Sequence, residues 1–373
     1  MPTLPGFVNA HSHAFQRALR GRVERVDPAH PHDDFWTWRE AMYAAANAID
    51  PDGAYRVARQ LYGEMLGAGY TAVGEFHYPH HRPDGAPYPD RNAMARATIQ
   101  AARDAGIEIV LLLCAYARAG AGRPPTPGQR RFCDPSAAEY LSRVEELAGD
   151  CRVGLAPHSV RALPRDWLEE IARYAESSGL VVHIHANEQR REVDECLAEH
   201  NRRPIELLAE VGLLGPRTTV VHATHVSDDE LDLLAETGST VCACPTTEAN
   251  LGDGFLPAVR LLARRIPVCI GSDSNTVVDP VLELREIEAC ARRQAERRNV
   301  LVPSGDDGPT AYLLEIGTAN GARAIGLDAA PGSVEIDRSH PHLEGVRDED
   351  LVPALLFGGT AAALRPSGPK GPA

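Results

Sequence analysis

The sequence predicts a (β/α)8 barrel, and three observations support this fold class. Short apolar runs alternate with amphipathic segments along the 373-residue chain, giving eight strand–helix units in series. Continuous apolar runs such as residues 107–115 are typical of parallel strands that are buried on both faces. Polar residues repeatedly follow the strands, at the edge where barrel active sites lie. A doubly wound open sheet is the alternative fold, and the third observation favours the barrel.

The same patterns place each element along the chain. The strands are predicted at residues 7–10, 70–76, 107–115, 153–157, 180–185, 218–223, 239–243 and 267–270. The helices are predicted at residues 51–68, 92–105, 136–148, 165–177, 228–236, 256–264, 281–298 and 309–324, with further helical segments through residues 191–211. Ser227 precedes one of these helices and is a candidate N-cap, because its hydroxyl can accept from a free backbone N–H of the first turn.

Composition and charge argue against several classes of function. The apolar fraction of 43% and the charged fraction of 24% are ordinary for a soluble globular protein. A net charge of −14 argues against nucleic acid and anionic membranes as partners, because both require a basic face. No apolar run approaches the ~20 residues of a membrane span, and the start shows no signal-peptide pattern. The eight scattered cysteines form no CxxC pair, so we expect buried, reduced thiols in a cytoplasmic protein.

Imidazole and carboxylate groups at the strand ends predict a metal site. A buried strand normally excludes His and Glu, yet residues 181–188 read Val-Val-His-Ile-His-Ala-Asn-Glu. His11 and His13 are two residues apart at the end of the first strand, so both side chains point to one face. His185 ends the fifth strand, and Asp273 follows the last. Three nitrogens and one carboxylate suit a single divalent metal ion of the Zn²⁺ type, with room for a water.

Neighbouring residues could move the proton of that water. A metal lowers the pKa of bound water from ~15.7 toward ~7. Glu188, three residues after His185, is the candidate that carries the proton to a leaving group. His222 ends the sixth strand and is placed to orient the water, while Asp273 could both bind metal and accept the water's proton.

Other histidines and cysteines are interpreted as structural. His183 is expected to be a core histidine that faces away from His185, and His225 has no partner at a suitable spacing. Cys242 and Cys244 are expected to pack within the seventh strand. The histidines in polar stretches are expected to be solvated, namely His30, His32, His80, His81, His340 and His342.

Longer motifs resemble the amidohydrolase superfamily, and within its mononuclear deaminase branch the formimidoylglutamate deiminases. These motifs are HSHAFQRALRG at 11–21, FWTWRE at 35–40, EFHY at 75–78, HSVR at 158–161, HIHANEQ at 183–189, HATH at 222–225 and TEANLGDG at 247–254. The resemblance runs from about residue 5 to about residue 326. The TEANLGDG and WRE stretches are the discriminating ones, because HxH and GSD occur across the superfamily.

The resemblance implies a hydrolase that acts on C–N bonds of linear amidines. Its substrate would be N-formimino-L-glutamate and its products N-formyl-L-glutamate and ammonia, in histidine degradation. Arg39 and Arg161 would clamp the carboxylates of this dicarboxylate, since guanidinium pairs with carboxylate in a bidentate fork. Tyr78 and His158 would add hydrogen bonds, and Gln16 would contact the formimino group. The expected partners are this small molecule and, in a homodimer, a second copy of the chain.

Two alternative functions stay open. One is another deaminase or chlorohydrolase of the same superfamily, acting on a nucleobase-like or other amidine substrate. A neutral nucleobase needs no double carboxylate clamp, so the two arginines discriminate between these substrates. The other is a truncated, non-catalytic barrel that binds only metal or ligand.

The terminal segments depart from the pattern of the superfamily. Relatives carry a small β-sandwich built from an N-terminal segment and the C-terminal end, whereas here the chain starts almost at the metal strand. The sequence after residue 332 lacks a sustained strand period, and the end is rich in Pro and Gly. We therefore expect a barrel over residues 1–326, a remnant of a truncated or absent accessory β-domain over 327–358, and a disordered tail over 359–373.

Overall fold

The fold is a parallel barrel with a small antiparallel sheet beside it, in a computed structural model that describes residues 2–26 and 31–367. The strands are β1 Thr3–Pro5, β2 Phe7–Ser12, β3 Tyr70–His77, β4 Glu108–Ala115, β5 Arg152–Pro157, β6 Val182–Ala186, β7 Thr218–His222, β8 Thr240–Ala243, β9 Val268–Ile270, β10 Ser333–Ile336 and β11 Leu364–Ser367. Strands β2 to β9 pair in chain order, and every pair is parallel. The predicted fold class is confirmed.

The ring closes where the loop after β9 meets β2. His13 N donates to Asp273 O at 2.9 Å, and Asp273 N donates to His11 O at 3.0 Å. Asn9 adds side-chain hydrogen bonds to Ser272, at 2.6 Å to its hydroxyl and 3.0 Å from its backbone N–H. The closure of the barrel therefore fixes the backbone of three predicted metal ligands, His11, His13 and Asp273.

Helices surround the barrel. They are α1 Phe35–Asn47, α2 Pro51–Gly67, α3 Ala93–Ala105, α4 Ala137–Leu147, α5 Arg165–Ser178, α6 Arg190–His200, α7 Pro204–Glu210, α8 Asp228–Thr237, α9 Pro245–Leu251, α10 Ala258–Ala263, α11 Pro280–Ala295, α12 Thr310–Glu315, α13 Gly321–Ala324 and α14 Leu351–Gly358. The helical segments predicted through 191–211 are the two helices α6 and α7, and the predicted helix over 309–324 contains a π-helical stretch, Ile316–Asn320. None of the helices in the described part of the chain has the length and apolarity to cross a membrane.

Side chains at the helix ends explain where several helices start and stop. Ser227 accepts from Glu230 N at 3.2 Å at the start of α8, so the predicted N-cap is confirmed. Asp34 accepts from the backbone of Trp36 and Thr37 and begins α1 in the same way. Gly179 follows α5 with a φ of +67°, a conformation that a residue without Cβ adopts without strain.

Beside the barrel, three short strands form an antiparallel sheet in the order β1–β10–β11. Leu4, Val334 and Leu364 bury their side chains in the core between this sheet and the barrel. A small accessory sheet is therefore present beside the barrel. Two expectations need correction: Thr3–Pro5 belongs to this sheet rather than to the barrel, and the chain is ordered into β11 rather than disordered from 359. Residues 368–373 lie outside the described residues.

Candidate active site

The predicted metal ligands lie together at the carboxyl edge of the barrel. His11 is on β2 and His13 directly follows this strand. His185 is the penultimate residue of β6, and Asp273 follows β9. Their exposed fractions are between 0% and 5%. The structure thus places all four predicted ligands at the end of the barrel where such sites are built.

Three imidazole nitrogens converge on one point. Nε2 of His11 is 3.2 Å from Nε2 of His13 and 3.1 Å from Nε2 of His185. Oδ1 of Asp273 is 3.7 Å from Nε2 of His11 and 3.4 Å from Nε2 of His13. Three nitrogens and a carboxylate oxygen around a common point match the donor set of a zinc-type site.

The hydrogen bonds of the outer ring nitrogens show that this point suits a cation. Nδ1 of His13 is 2.8 Å from Phe76 O, and Nδ1 of His185 is 3.0 Å from His158 O. Since a carbonyl can only accept, each Nδ1 carries the proton and each Nε2 presents a bare lone pair to His11. A divalent ion satisfies these lone pairs, and a carbonyl behind a ligating imidazole is its usual support. The residues therefore fit a metal ion.

The backbone is strained where the strands end at the site. Asn187, His222, Ala223 and Asp273 all have positive φ angles, of 58°, 73°, 52° and 45°. For residues other than glycine this conformation costs roughly 1–3 kcal/mol each, and it persists only where the surroundings enforce it. The hydrogen bond from Asp273 N to His11 O is one such restraint. These positive φ angles change the direction of the chain directly after the strands.

A buried group of carboxylates surrounds His222. Its Nε2 is 3.5 Å from Oε1 of Glu188 and 3.7 Å from Oδ2 of Asp273. Its Nδ1 is 3.3 Å from Oε1 of Glu248, which also accepts from Cys244 N at 2.9 Å. His222, Cys244 and Glu248 also offer ligand atoms within 4.8 Å of one another, but these hydrogen bonds already account for their proximity.

The electrostatics of this group favour proton transfer. Burial lowers the pKa of His222, but the nearby carboxylates of Glu188, Glu248 and Asp273 outweigh burial and raise the pKa to about 10. Burial raises the pKa of Asp273 to about 6 and that of Glu192, which accepts from Glu188 N at 3.1 Å, to about 7. Asp273 and Glu192 therefore titrate near neutral pH, as general acid–base catalysis requires, whereas His222 keeps its proton there.

Two guanidinium groups form the basic part of the same pocket. Nε and Nη1 of Arg39 and Nε of Arg161 are buried without a hydrogen-bond partner among the described residues. Burial, followed by the charge of Arg161, lowers the pKa of Arg39. Buried cations with free N–H donors are a binding site for anions, and their planar forks suit carboxylates.

The remaining predicted residues form the pocket wall. Nε2 of Gln16 donates to the Tyr78 hydroxyl at 2.9 Å, while its Oε1 has no partner within the described part of the chain. The His158 ring stacks on His185 with centroids 4.9 Å apart. The pocket is lined by ten of the predicted residues, and His11 lies beneath them.

The sequence interpretation missed several residues of this site. It assigned no role to Glu248 or to Trp36, although both lie in the TEANLGDG and FWTWRE motifs that it singled out. It also did not foresee that α1 covers the pocket. Side chains from α1 that line the pocket are Phe35, Trp38, Arg39, Met42 and Tyr43.

Three histidines behave differently from the expectations. His183 Nε2 is 2.9 Å from Ala324 O, so its predicted core role is confirmed. The expectation that His183 faces away from His185 is wrong, because residues two apart on a strand share a face. His80 and His81 are buried rather than solvated: His80 pairs with Cys114 O at 2.8 Å and His81 approaches an aspartate. His30 lies outside the described residues.

Comparison of the sequence shows which proteins this chain resembles. The amidohydrolase family profile matches residues 3–338. Formimidoylglutamate deiminase of Pseudomonas aeruginosa is 40% identical over 97% of this chain and 82% of the relative. The 5-methylthioadenosine/S-adenosylhomocysteine deaminase of Halobacterium salinarum is 29% identical over 97% of this chain and 78% of the relative.

Solved structures give the same result for the fold. An amidohydrolase from Brucella melitensis superposes with a TM-score of 0.88 at 35% identity, covering 98% of this chain and 85% of that one. An adenosine deaminase from Xanthomonas campestris with bound zinc superposes with a TM-score of 0.80 at 24% identity, covering 97% and 77%. With the family profile spanning nearly the whole barrel, this chain belongs to the amidohydrolase family.

Proposed function

We propose that this protein hydrolyses N-formimino-L-glutamate to N-formyl-L-glutamate and ammonia. The observation that carries the proposal is the division of charge in the pocket. Buried carboxylates lie beside the metal ligands, and two guanidiniums with free donors lie in the same pocket. A substrate that joins a cationic amidine to two carboxylates is complementary to both parts.

The basic part of the pocket argues for a dicarboxylate. Arg39 and Arg161 are held together in a buried wall although like charges repel, so the pocket is arranged for negative charge that comes from a ligand. A neutral nucleobase would leave both guanidiniums unpaired. The similarity to the formimidoylglutamate deiminase from Pseudomonas aeruginosa is consistent with that choice.

The acidic part of the pocket can perform the hydrolysis. A divalent ion, which we propose is Zn²⁺, would be held by His11, His13, His185 and Asp273 and would supply an activated water at neutral pH. Glu188 would protonate the departing nitrogen, so that a neutral amine rather than an anion leaves. His222, held by carboxylates on both sides, orients the attacking oxygen.

The atoms of the reaction balance without any further reactant. The water oxygen bonds to the formimino carbon, and the bond from that carbon to the terminal nitrogen breaks. The carbon keeps its hydrogen and becomes the formyl group, and both water protons leave with the terminal nitrogen, which departs as ammonium from the protonated amidine and as ammonia from the neutral one. The product retains both carboxylates. We propose that the reaction serves histidine degradation in the cytoplasm.

An ammonia assay with the Zn²⁺-loaded protein tests the proposal. The substrates are N-formimino-L-glutamate, adenosine and cytosine, and the variants are Glu188→Gln, Arg161→Met and the surface control Arg165→Met, whose side chain pairs with exposed glutamates. We expect release only from formiminoglutamate, near-complete loss in Glu188→Gln, a raised KM in Arg161→Met and no change in the control. Release from adenosine or cytosine but not from formiminoglutamate would overturn the proposed substrate, and release from none of the three would overturn the proposed activity.

A further inference from the structure

The two guanidiniums of the pocket lack the partner that usually holds a buried arginine. Buried cations are normally paired with a carboxylate, which fixes them but also occupies their donors. Among the described residues neither Arg39 nor Arg161 forms an ion pair, and both have buried N–H groups without an acceptor. Something other than an acidic side chain must therefore position them.

Aromatic rings fill this role. The Tyr43 ring lies 5.5 Å from the guanidinium carbon of Arg39, and the indole of Trp36 contacts both arginines. The guanidinium carbon of Arg39 is 4.5 Å from the centroid of the indole, and that of Arg161 is 5.6 Å away. Trp36 and Arg39 lie on α1, whereas Arg161 follows β5, so one ring bridges two separate elements that form the pocket wall. Both distances are within the range of a cation–π interaction.

A third guanidinium, that of Arg191, also contacts the Trp36 ring but is ion-paired, unlike those of Arg39 and Arg161. Arg191 on α6 lies 4.3 Å from the Trp36 centroid, and its Nε donates to Oε1 of Glu195 at 3.0 Å. This arginine is paired and its side chain is half exposed. Arg191 therefore contacts the indole on the solvent side, whereas Arg39 and Arg161 line the pocket and keep their N–H donors free.

The physical difference between the two kinds of partner explains the arrangement. The face of an aromatic ring attracts a guanidinium through its quadrupole and leaves the N–H edge of the fork available. A carboxylate partner would instead bind that edge and compete with a carboxylate ligand. An indole is thus a partner that orients an arginine without neutralising it.

We propose that Trp36 is the specificity-determining residue of this pocket, positioning Arg39 and Arg161 with their donors open for a dicarboxylate. The inference rests on the function proposed above, since it assigns the two carboxylates of the substrate to these arginines. Trp36 acts through them and touches no reacting atom. Its loss should weaken binding of dicarboxylates and leave the chemical step intact.

The test measures binding and turnover separately in the metal-loaded protein. Glutarate, a dicarboxylate without the formimino group, is titrated by calorimetry into wild type, Trp36→Phe, Trp36→Leu and Trp36→Met. Trp167→Phe on α5, which packs against the core outside the pocket, is the matched control. Steady-state ammonia release from N-formimino-L-glutamate gives KM and kcat for the same set.

We expect glutarate affinity to fall about tenfold in the Leu and Met variants, with KM rising in parallel and kcat within about threefold of wild type. Trp36→Phe keeps an aromatic face and should recover most of the affinity. Metal content should stay unchanged in every variant. Two non-aromatic variants are included so that misfolding of one leaves the measurement intact.

The outcomes separate this inference from the proposed function. Unchanged glutarate affinity in both non-aromatic variants, or equal losses in kcat and affinity in Trp36→Phe, would overturn the role of Trp36. Wild-type protein that binds glutarate but releases no ammonia from formiminoglutamate would overturn the proposed function while leaving the role of Trp36 supported.

Discussion

Nδ1 of His222 lies 3.3 Å from Oε1 of Glu248, and both side chains are buried. The same carboxylate oxygen accepts from the backbone of Cys244 at 2.9 Å, so Glu248 is fixed to the loop that follows β8. The contact orients the imidazole and directs Nε2 toward Glu188 and Asp273. The charge and position of Glu248 therefore determine how His222 is presented to the reacting groups.

Replacing Glu248 should reduce turnover through the orientation of His222. Hydrogen bonds to charged groups contribute about 1.5–3 kcal/mol, so Glu248→Ala should lower kcat by about ten- to one-hundred-fold. Glu248→Gln keeps an acceptor oxygen and should lie between this variant and wild type. Kinetic constants from the ammonia assay, with metal content measured on each sample, check the expectation.

The control for this series is Glu286→Ala, which removes a partly exposed carboxylate on the neighbouring helix α11. Its kcat should match wild type. If Glu248→Ala keeps its kcat within twofold of wild type at full metal content, the hydrogen bond to His222 has no part in turnover.

Sequence patterns predicted the barrel and brought the central residues together, for reasons that are local. A buried strand is recognised in the sequence by its apolar run, and residues two apart along it share a face. A His or Glu at the end of such a run is conspicuous because burying an unpaired polar side chain costs free energy. His11, His185 and Asp273 could be grouped before any coordinates, since strand ends of a parallel barrel share one edge.

Other parts depend on distant contacts that leave no local pattern. The strands Thr3–Pro5 and Leu364–Ser367 are three and four residues long, and they exist because both pair with Ser333–Ile336. His81 is buried because Asp134, more than fifty residues later in the chain, lies 3.5 Å from it. Neither pairing can be read from neighbouring residues.

Removal of metal should abolish activity and lower thermal stability together. Without a cation, the Nε2 lone pairs of His13 and His185 both face Nε2 of His11, which carries at most one proton to share between them. A ligand that binds only the folded state stabilises it. Dialysis against a chelator should therefore lower Tm and reduce ammonia release more than a hundredfold. Adding back Zn²⁺ should restore both. Full activity at less than one-tenth of a metal ion per chain would contradict the metal site.

Gly271 limits the space beside the metal strand. An alanine Cβ at this position would lie 2.7 Å from both Cβ and O of His11, closer than side-chain atoms tolerate. Gly271→Ala should therefore displace His11, lower metal occupancy and destabilise the fold by about 1–3 kcal/mol. The control Gly149→Ala meets no atom within 4 Å. Metal analysis and urea unfolding should leave the control at wild-type values, and equal occupancy in both variants would contradict the expected displacement.

Glu283 should make stability fall as pH rises toward 8. It is fully buried on α11, and burial raises its pKa to about 8, although hydrogen bonds from Thr246 oppose this. Between its unfolded pKa near ~4.5 and about 8, the folded state holds a proton that the unfolded state has released. Raising the pH across this window therefore favours unfolding, by up to ~1.4 kcal/mol per pH unit.

Glu283→Gln removes this titration and keeps a similar shape. The difference in unfolding free energy, wild type minus variant, should decrease steadily between pH 6 and 8 in urea titrations of the metal-loaded protein. Because protonation of other groups is common to both proteins, the subtraction isolates this side chain. Glu286→Gln, on the same helix but partly exposed, should show a flat difference. A flat difference for Glu283→Gln as well would mean that Glu283 is ionised in the folded protein and is stabilised by Thr246 more strongly than burial opposes it.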